Sequence, residues 1–161
     1  MKTVLISGSF DPVTRGHAAL IARAARLFDR VEVVIFTNSQ KNCLFSLDER
    51  LAFLQRVCAA CGENVSAAKS EGTVAGYAIE HGIHAIVKGV RNASDLLFEQ
   101  DMATLNRLAG GPETILLPTE PALSYISSGA VREFLRHGLP AKELLPTAIA
   151  DEVVEAYRKK A

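Results

Sequence analysis

The sequence predicts an α/β protein whose core is a doubly wound, five-stranded parallel sheet of the Rossmann-like type. Strand-like apolar runs alternate with amphipathic helical patterns along the whole chain, as is typical of parallel strands joined by crossover helices. The 161 residues are 48% hydrophobic, which is enough for one sizeable core. No internal repeat or low-complexity linker divides the chain, so we expect a single domain over residues 1–161.

Each predicted element follows from periodicity and end signals. Strands have short apolar runs, whereas helices repeat apolar residues at i, i+3 and i+4. Ser46 and Glu49 form a capping box before one helix, and Gly82 and Gly138 follow two others. The predicted strands are 4–7, 31–37, 65–68, 85–88 and 114–117. The predicted helices are 17–28, 47–58, 73–81, 95–108 and 128–137. A last helix is opened by Pro146 and Thr147 and ended by Arg158, Lys159 and Lys160.

Charge and composition exclude several classes of partner. Eighteen basic and 18 acidic residues cancel, so the chain has no overall attraction to nucleic acid or to an anionic membrane. Tryptophan is absent and aromatics are 6%, which indicates no stacking surface for single strands. The apolar run at the N-terminus is far too short for a signal sequence or a membrane span.

The three cysteines favour a reducing compartment, and we expect a cytoplasmic protein. Cys58 and Cys61 form a C-x-x-C pair, but nothing else in the sequence completes a zinc site. The pair lies at the end of a predicted helix, where the dipole disfavours a thiolate. Packing is therefore favoured over redox or metal chemistry.

Polar loops follow several strands of the predicted sheet. Ligands bind beyond the carboxyl ends of parallel strands, and four loops there carry cations, hydroxyls and glycines. Each residue alone is best interpreted as an ordinary solvated loop residue, but the set indicates a phosphate site. The loops read GSFDPVTRGH (8–17), NSQK (38–41), KGVR (88–91) and SYISSG (124–129).

The first loop matches neither G-x-x-x-x-G-K-[ST] nor G-x-G-x-x-G. Gly8 would let backbone N–H groups approach an oxyanion, and Asp11 with Pro12 would make a turn. Gly16 would leave room before the helix. His17 would stand at the helix start, where its ring N–H and the helix dipole face one phosphate.

These motifs carry a family resemblance. Thr14-Arg15-Gly16-His17 resembles the T/H-x-G-H signature of the nucleotidyltransferase superfamily, and Ile126-Ser127-Ser128 resembles its I-S-S motif. The opening loop, Lys41, residues 88–92, Asp95, Glu99 and Asn106 are similar to the phosphopantetheine adenylyltransferase family over essentially the whole chain. The resemblance implies a nucleotidyltransferase fold and transfer of an adenylyl group from ATP to 4'-phosphopantetheine, with Mg²⁺ held mainly by the ATP phosphates.

The resemblance also implies site residues and partners. His17 would stabilise the transition state, with Lys41 and Arg91 as further catalytic residues. ATP would contact Ser9, Phe10, His17, Gly89, Val90, Arg91, Glu99, Leu123, Ser124, Tyr125, Ile126, Ser127, Ser128 and Gly129, and 4'-phosphopantetheine would contact Ser9, Lys41, Val74 and Lys88. A homohexamer with feedback inhibition by coenzyme A is implied as well.

Two positions depart from the family pattern. Lys88 stands where arginine is common, and so lacks a bidentate fork for phosphate. Gly129 replaces a third serine, which removes one hydroxyl.

The reaction chemistry agrees with this set of residues. A phosphate monoester has a second pKa of about 6, so it is mostly a dianion at neutral pH and needs no general base. The site must align two charged groups and stabilise the five-coordinate α-phosphate. Lysine, arginine, serine and one histidine suit that task.

Two other functions remain open. A nucleotidyltransferase could act on nicotinamide mononucleotide or transfer a cytidylyl group, although residues 88–92 speak against both. A regulatory module could bind ATP without turnover, and it would leave His17 and Lys41 without a role.

Overall fold

The computed structural model describes residues 1–37 and 42–160, which contain five strands and six α-helices in alternation. Two short 3₁₀ helices, at Pro121–Leu123 and Ala141–Leu144, were not predicted. The strands are β1 (Thr3–Gly8), β2 (Arg30–Phe36), β3 (Val65–Ser70), β4 (Ala85–Val90) and β5 (Thr114–Pro118). The helices are α1 (Arg15–Leu27), α2 (Leu47–Cys61), α3 (Val74–Glu80), α4 (Ala93–Leu108), α5 (Ser128–Arg136) and α6 (Ala150–Arg158).

All five strands are parallel, in the order β3-β2-β1-β4-β5. The chain winds outward from β1 to β3 and then returns to the other side of β1 to form β4. This reversal leaves a crevice between the carboxyl ends of β1 and β4, where ligands bind in such sheets. The predicted α/β class with a doubly wound parallel sheet is confirmed.

The two faces of the sheet are packed differently. The larger core lies under α1, α2, α5 and α6, which bury residues such as Ile21, Leu54 and Val131 against β1 and β2. The smaller core on the other face includes Ala78 of α3. Helix α4 lies beside α3 and contacts β4 and β5, but it contains no fully buried residue.

Three helix starts differ from the sequence prediction by two residues or more. Helix α1 begins at Arg15, so Gly16 lies inside its first turn rather than before it. Helix α4 begins at Ala93, because the side chain of Asn92 accepts a hydrogen bond from the N–H of Asp95 at 2.9 Å. Helix α6 begins at Ala150, because Pro146 opens a separate turn in which its carbonyl accepts from the N–H of Ile149.

Other end signals are confirmed. Ser46 and Glu49 form the predicted capping box. Gly82 and Gly138 follow α3 and α5 with φ values of +61° and +65°, a conformation in which a β-carbon is unfavourable. In the described part of the chain, every helix is too short or too polar to cross a membrane.

Candidate active site

A cavity of about 250 Å³ opens at the crevice between β1 and β4. We call it the His17 cavity. Of the residues predicted to form the site, it collects Phe10, His17, Lys88, Gly89, Arg91, Glu99, Ile126, Ser127 and Ser128. Thr14, Leu20, Asp95 and Thr119 also line it.

The imidazole of His17 is held by the turn that begins α1. Thr14 is the N-cap: its backbone N–H donates to Nδ1 of His17 at 3.0 Å, and its hydroxyl accepts from the His17 N–H. The Phe10 ring packs edge-on against the imidazole, with centroids 5.0 Å apart. Since Nδ1 accepts a hydrogen bond, the proton of the neutral ring lies on Nε2.

The surroundings of His17 also keep its ring neutral. Burial, reinforced by the positive charges of Lys88 and Arg91, lowers the pKa of His17 from 6.5 to about 4. At neutral pH the side chain is therefore a hydrogen-bond donor through Nε2–H. It has no free basic nitrogen, because Nδ1 is already engaged.

The first loop has a constrained backbone. Phe10 has a φ of 45°, and its ring is packed over Gly8. A β-carbon on Gly8 would lie 3.0 Å from that ring, which is tighter than most packed carbon contacts, so the ring would have to shift. The absence of a side chain at Gly8 therefore makes room for the Phe10 ring, a role that the sequence did not indicate.

Lys88 stands at the end of β4, facing β1. Its Nζ donates to the carbonyl and hydroxyl oxygens of Ser7 at 3.1 and 3.3 Å. Glu99 of α4 lies 3.5 Å from the same ammonium. The lysine is thus oriented from two sides while remaining at the cavity wall.

Arg91 is held by a carboxylate that the sequence analysis did not assign to any role. Its Nε and Nη2 donate to the two oxygens of Asp95 at 2.8 and 3.2 Å, and its backbone N–H donates to Asp95 as well. This pairing lowers the pKa of Asp95. Among the described residues, Nη1 donates only to the carbonyl of Ile126, at 3.4 Å, so this edge of the guanidinium can donate further.

The N-terminus of α5 contributes the Ser127 and Ser128 motif. Ser127 is the N-cap and accepts from the N–H of Ala130 at 3.0 Å. The Ser128 hydroxyl donates to the carbonyl of Pro12 at 2.7 Å, which ties α5 to the first loop. The first amide groups of a helix have no intrahelical acceptors, and they favour an anion.

A second cavity, of about 240 Å³, lies against α4. We call it the α4 cavity. Val74 and Lys88, predicted for the acceptor, line it together with Ser9, which is predicted to contact both substrates but does not line the His17 cavity. The two cavities share Ser7, Lys88 and Glu99. Its apolar wall, which the sequence analysis missed, is formed by Phe36, Phe98, Met102 and Ala103.

Some predicted residues are not at these cavities. Val90, Leu123, Ser124, Tyr125 and Gly129 line neither of them. The Leu123 side chain is buried in the larger core, and its contact with the nucleotide stays a prediction. The Ser124 hydroxyl is used by the carbonyl of Pro121, and Tyr125 is exposed. Lys41 lies outside the described residues.

Within residues 1–37 and 42–160, no three His, Cys, Asp or Glu side chains lie together as metal ligands would. The carboxylates that line the His17 cavity, Asp95 and Glu99, are each paired with a cation. A metal ion at this site would therefore fit best as the companion of a polyphosphate.

The C-x-x-C pair is part of the packed interior. Cys58 is buried on α2, and burial raises its pKa to about 12. Burial raises the pKa of Cys61 too, and its thiol donates to the carbonyl of Ala18. Both environments disfavour a reactive thiolate.

Comparison with known proteins places this chain in one class. A protein-family model described as cytidylyltransferase-like matches residues 5–134, so the chain is a member of that class of nucleotidyltransferases. The structure of Thermotoga maritima TmcAL bound with alpha-thio ATP shares the fold, with a TM-score of 0.65 and 11% identity over 99% of this chain and 56% of the other.

Curated relatives narrow the class. Phosphopantetheine adenylyltransferase of Streptomyces coelicolor is 37% identical over 160 residues, covering 99% of this chain and all of the relative. The enzyme of the same name from Pseudarthrobacter chlorophenolicus is 42% identical over 149 residues, covering 92% and 90%. The chain belongs to the phosphopantetheine adenylyltransferase family.

Proposed function

We propose that this protein transfers the adenylyl group of ATP to 4'-phosphopantetheine, giving dephospho-coenzyme A and pyrophosphate. Membership of the family indicates the class of reaction, and the curated relatives of this chain are named for this activity. The structural observation that carries the proposal is the junction of two unlike cavities at Lys88 and Glu99.

The two cavities suit the two substrates. The His17 cavity offers two cations, Arg91 and Lys88, and two sets of hydrogen-bond donors, the His17 ring and the N-terminus of α5. Together these groups suit the phosphates of a nucleoside triphosphate. The α4 cavity offers an apolar wall with polar ends at Ser9 and Asn106, which suits an amide-containing aliphatic arm. The acceptor phosphate would then lie beside Lys88, where the cavities meet.

The reaction needs alignment rather than acid–base catalysis. A phosphate oxygen of the acceptor attacks the α-phosphorus of ATP, and the bond from that phosphorus to the bridging oxygen of the β-phosphate breaks. The Nε2–H of His17 donates to the α-phosphate as negative charge grows on it. Arg91 binds the ATP phosphates through its Nη1 edge. Lys88 binds the acceptor phosphate and offsets its repulsion by the negative charges of ATP.

Mg²⁺ is part of this proposal as a companion of ATP. Bound to the phosphates, it would neutralise the charge of the departing pyrophosphate. The residues that would hold the magnesium–nucleotide complex are Arg91, Ser127, Ser128 and the amides that open α5.

Assembly and regulation are also proposed. Helix α4 leaves Leu97, Phe98, Leu105 and Leu108 between 56% and 79% exposed, an apolar surface that would suit contact between copies. This surface supports the homohexamer. Feedback by coenzyme A would follow from its sharing the pantetheine arm with the acceptor. One nucleotidyltransferase domain over residues 1–161 and a cytoplasmic location stay predictions.

Pyrophosphate release tests the function directly. The purified protein is mixed with ATP, Mg²⁺ and 4'-phosphopantetheine, and dephospho-coenzyme A is identified by mass spectrometry. We expect equal amounts of both products. Matched reactions contain CTP instead of ATP, nicotinamide mononucleotide instead of phosphopantetheine, or no acceptor. Turnover in a matched reaction but none with ATP and 4'-phosphopantetheine together would contradict the proposal. ATP binding without turnover in any of the four reactions would contradict it as well.

A further inference from the structure

Two charged side chains are buried beside the site, but neither lines the His17 cavity or the α4 cavity. Asp11, in the β1–α1 loop, is 4% exposed, and Arg50, on α2, is 7% exposed. Charged residues are rarely buried so far unless their hydrogen bonds are satisfied. The reaction described above uses neither side chain, so their burial calls for another explanation.

The carboxylate of Asp11 reaches across to the segment that leads into α2. Its Oδ2 accepts from the N–H of Leu44 at 2.8 Å, and its Oδ1 accepts from the N–H of Phe45 at 2.9 Å. These partners are 33 and 34 residues away in the chain. A side chain of the first loop therefore holds the backbone that follows β2.

Arg50 makes the reverse connection. Its Nη1 donates to the carbonyl of Ser9 at 2.8 Å, and its Nε donates to the carbonyl of Phe45 at 3.2 Å. No carboxylate in the described residues lies within salt-bridge distance of its guanidinium. The charge is thus used to bind main-chain oxygens, and the capped first turn of α2 supports it.

Together Asp11 and Arg50 form a reciprocal connection, which we call the Asp11–Arg50 clamp. Asp11, in the β1–α1 loop, binds the backbone that precedes α2, and Arg50, on α2, binds the backbone of the β1–α1 loop. The clamp acts at Ser9, which lines the α4 cavity. Helix α5 anchors the same loop as well: Ser128 donates to the carbonyl of Pro12, and Nη1 of Arg132 donates to the carbonyl of Asp11 and lies 3.7 Å from Oδ2 of its carboxylate.

We propose that Arg50 and Asp11 are positioning residues that fix Ser9 and the acceptor side of the site, independently of nucleotide binding. The inference rests on the proposed function for the identity of the acceptor. Loss of the clamp would displace Ser9 toward or away from the α4 cavity. Because α5 and Thr14 still hold the loop near His17, ATP binding would persist.

The test compares conservative variants with a matched control on the same helix. Arg50→Lys keeps the charge but loses the planar fork, and Asp11→Asn keeps the shape but can accept from only one of the two amides. Arg56→Lys is the control, because Arg56 lies on α2 with an exposed side chain paired with Glu152. Steady-state kinetics and calorimetry then give KM and Kd for each substrate.

We expect Arg50→Lys and Asp11→Asn to raise KM for phosphopantetheine about tenfold, the scale of a lost charge-assisted hydrogen bond. The Kd for ATP should stay within about twofold of wild type, and Arg56→Lys should match wild type for both substrates. The double variant should lose less than the product of the two single effects, because both act on one junction. An unchanged acceptor KM in a folded variant, or equal losses for both substrates, would overturn the proposal.

Amide hydrogen exchange provides a readout that does not depend on turnover. In both clamp variants the amides of Leu44 and Phe45 should exchange faster than in Arg56→Lys. Exchange at the control rate would overturn the clamp even if the enzyme were active. A different result is faster exchange in the variants when the wild-type protein neither turns over nor binds phosphopantetheine. That result would overturn both the proposed function and the effect of the clamp on the acceptor. Only the hydrogen bonds between the β1–α1 loop and the start of α2 would then stand.

Discussion

The His17 cavity and the α4 cavity lie side by side and are built in opposite ways. The first consists of hydrogen-bonding groups held by other hydrogen bonds, as Thr14 holds His17 and Asp95 holds Arg91. The second has apolar side chains, such as Phe98 and Met102, from a helix that contains no fully buried residue. The difference indicates that one side is preorganised for charge, whereas the other accepts a flexible chain by contact area.

The largest effect should come from His17. In His17→Ala we expect kcat to fall by ~10²–10³, because removal of one preorganised donor to a developing oxyanion costs that much. The Kd for ATP should change little. His17→Asn should recover part of the rate if its amide reaches the phosphate, whereas the exposed His137→Asn should behave as wild type. A normal kcat in His17→Ala would remove the histidine from the catalytic role.

Stability toward acid should also depend on His17. The folded protein holds this ring neutral with a pKa of about 4, whereas the unfolded chain has a pKa near 6.5. Between these values the unfolded state binds more protons, so the free energy of unfolding falls as pH drops from 6.5 to 4. The loss amounts to at most about 3 kcal/mol.

Urea unfolding at pH 7 and pH 4.5 measures this loss. His17→Asn should lose less stability than wild type over that interval, while His137→Asn should lose as much as wild type. The carboxylates titrate in all three proteins and cancel in the comparison. Equal losses in wild type and His17→Asn would show that His17 is not held neutral by the fold.

Arg91 should affect the nucleotide alone. Arg91→Ala should weaken ATP binding about tenfold or more, since a charge-assisted hydrogen bond contributes roughly 1.5–3 kcal/mol. Asp95→Asn should give a smaller loss in the same direction, because the guanidinium remains but its orientation is less restricted. ATP titrations that match wild type in Arg91→Ala would refute the assignment of this loop to the donor.

The smallest effect is expected in the α4 cavity. Met102→Ala should raise KM for phosphopantetheine by a few-fold, because it removes part of an apolar contact worth about 0.8 kcal/mol per buried methylene. Asp101→Ala, one residue away and exposed, is the control. If Met102→Ala weakened ATP instead, the contrast between the two cavities would be wrong.

The His17 cavity could be predicted from sequence because its parts are local. A glycine, a threonine N-cap and a histidine at fixed spacing between a strand and a helix determine which groups face the sheet edge. The strand order, which the alternation of elements does not fix, then brings the loops after β1 and β4 together. The role of Lys41, in the loop after β2, remains a prediction that was made in the same way.

The α4 cavity and the clamp could not be predicted in the same way. Apolar residues at helical spacing, such as Phe98 and Met102, have the same pattern whether they face a core, a ligand or another copy. Only the structure shows that α4 buries none of its side chains completely. Likewise Asp11 before a proline indicates a turn, but nothing in the sequence connects it to Phe45.

The proposed catalysis depends most on the protonation state of the His17 ring, and ¹⁵N NMR of histidine-labelled protein measures that state directly. From pH 8 to pH 5 we expect the neutral ring with its proton on Nε2, and titration only near pH 4. His17→Asn assigns the signal by its loss. A ring that carries its proton on Nδ1, or that titrates near pH 6.5, would contradict the role of His17 as a neutral hydrogen-bond donor.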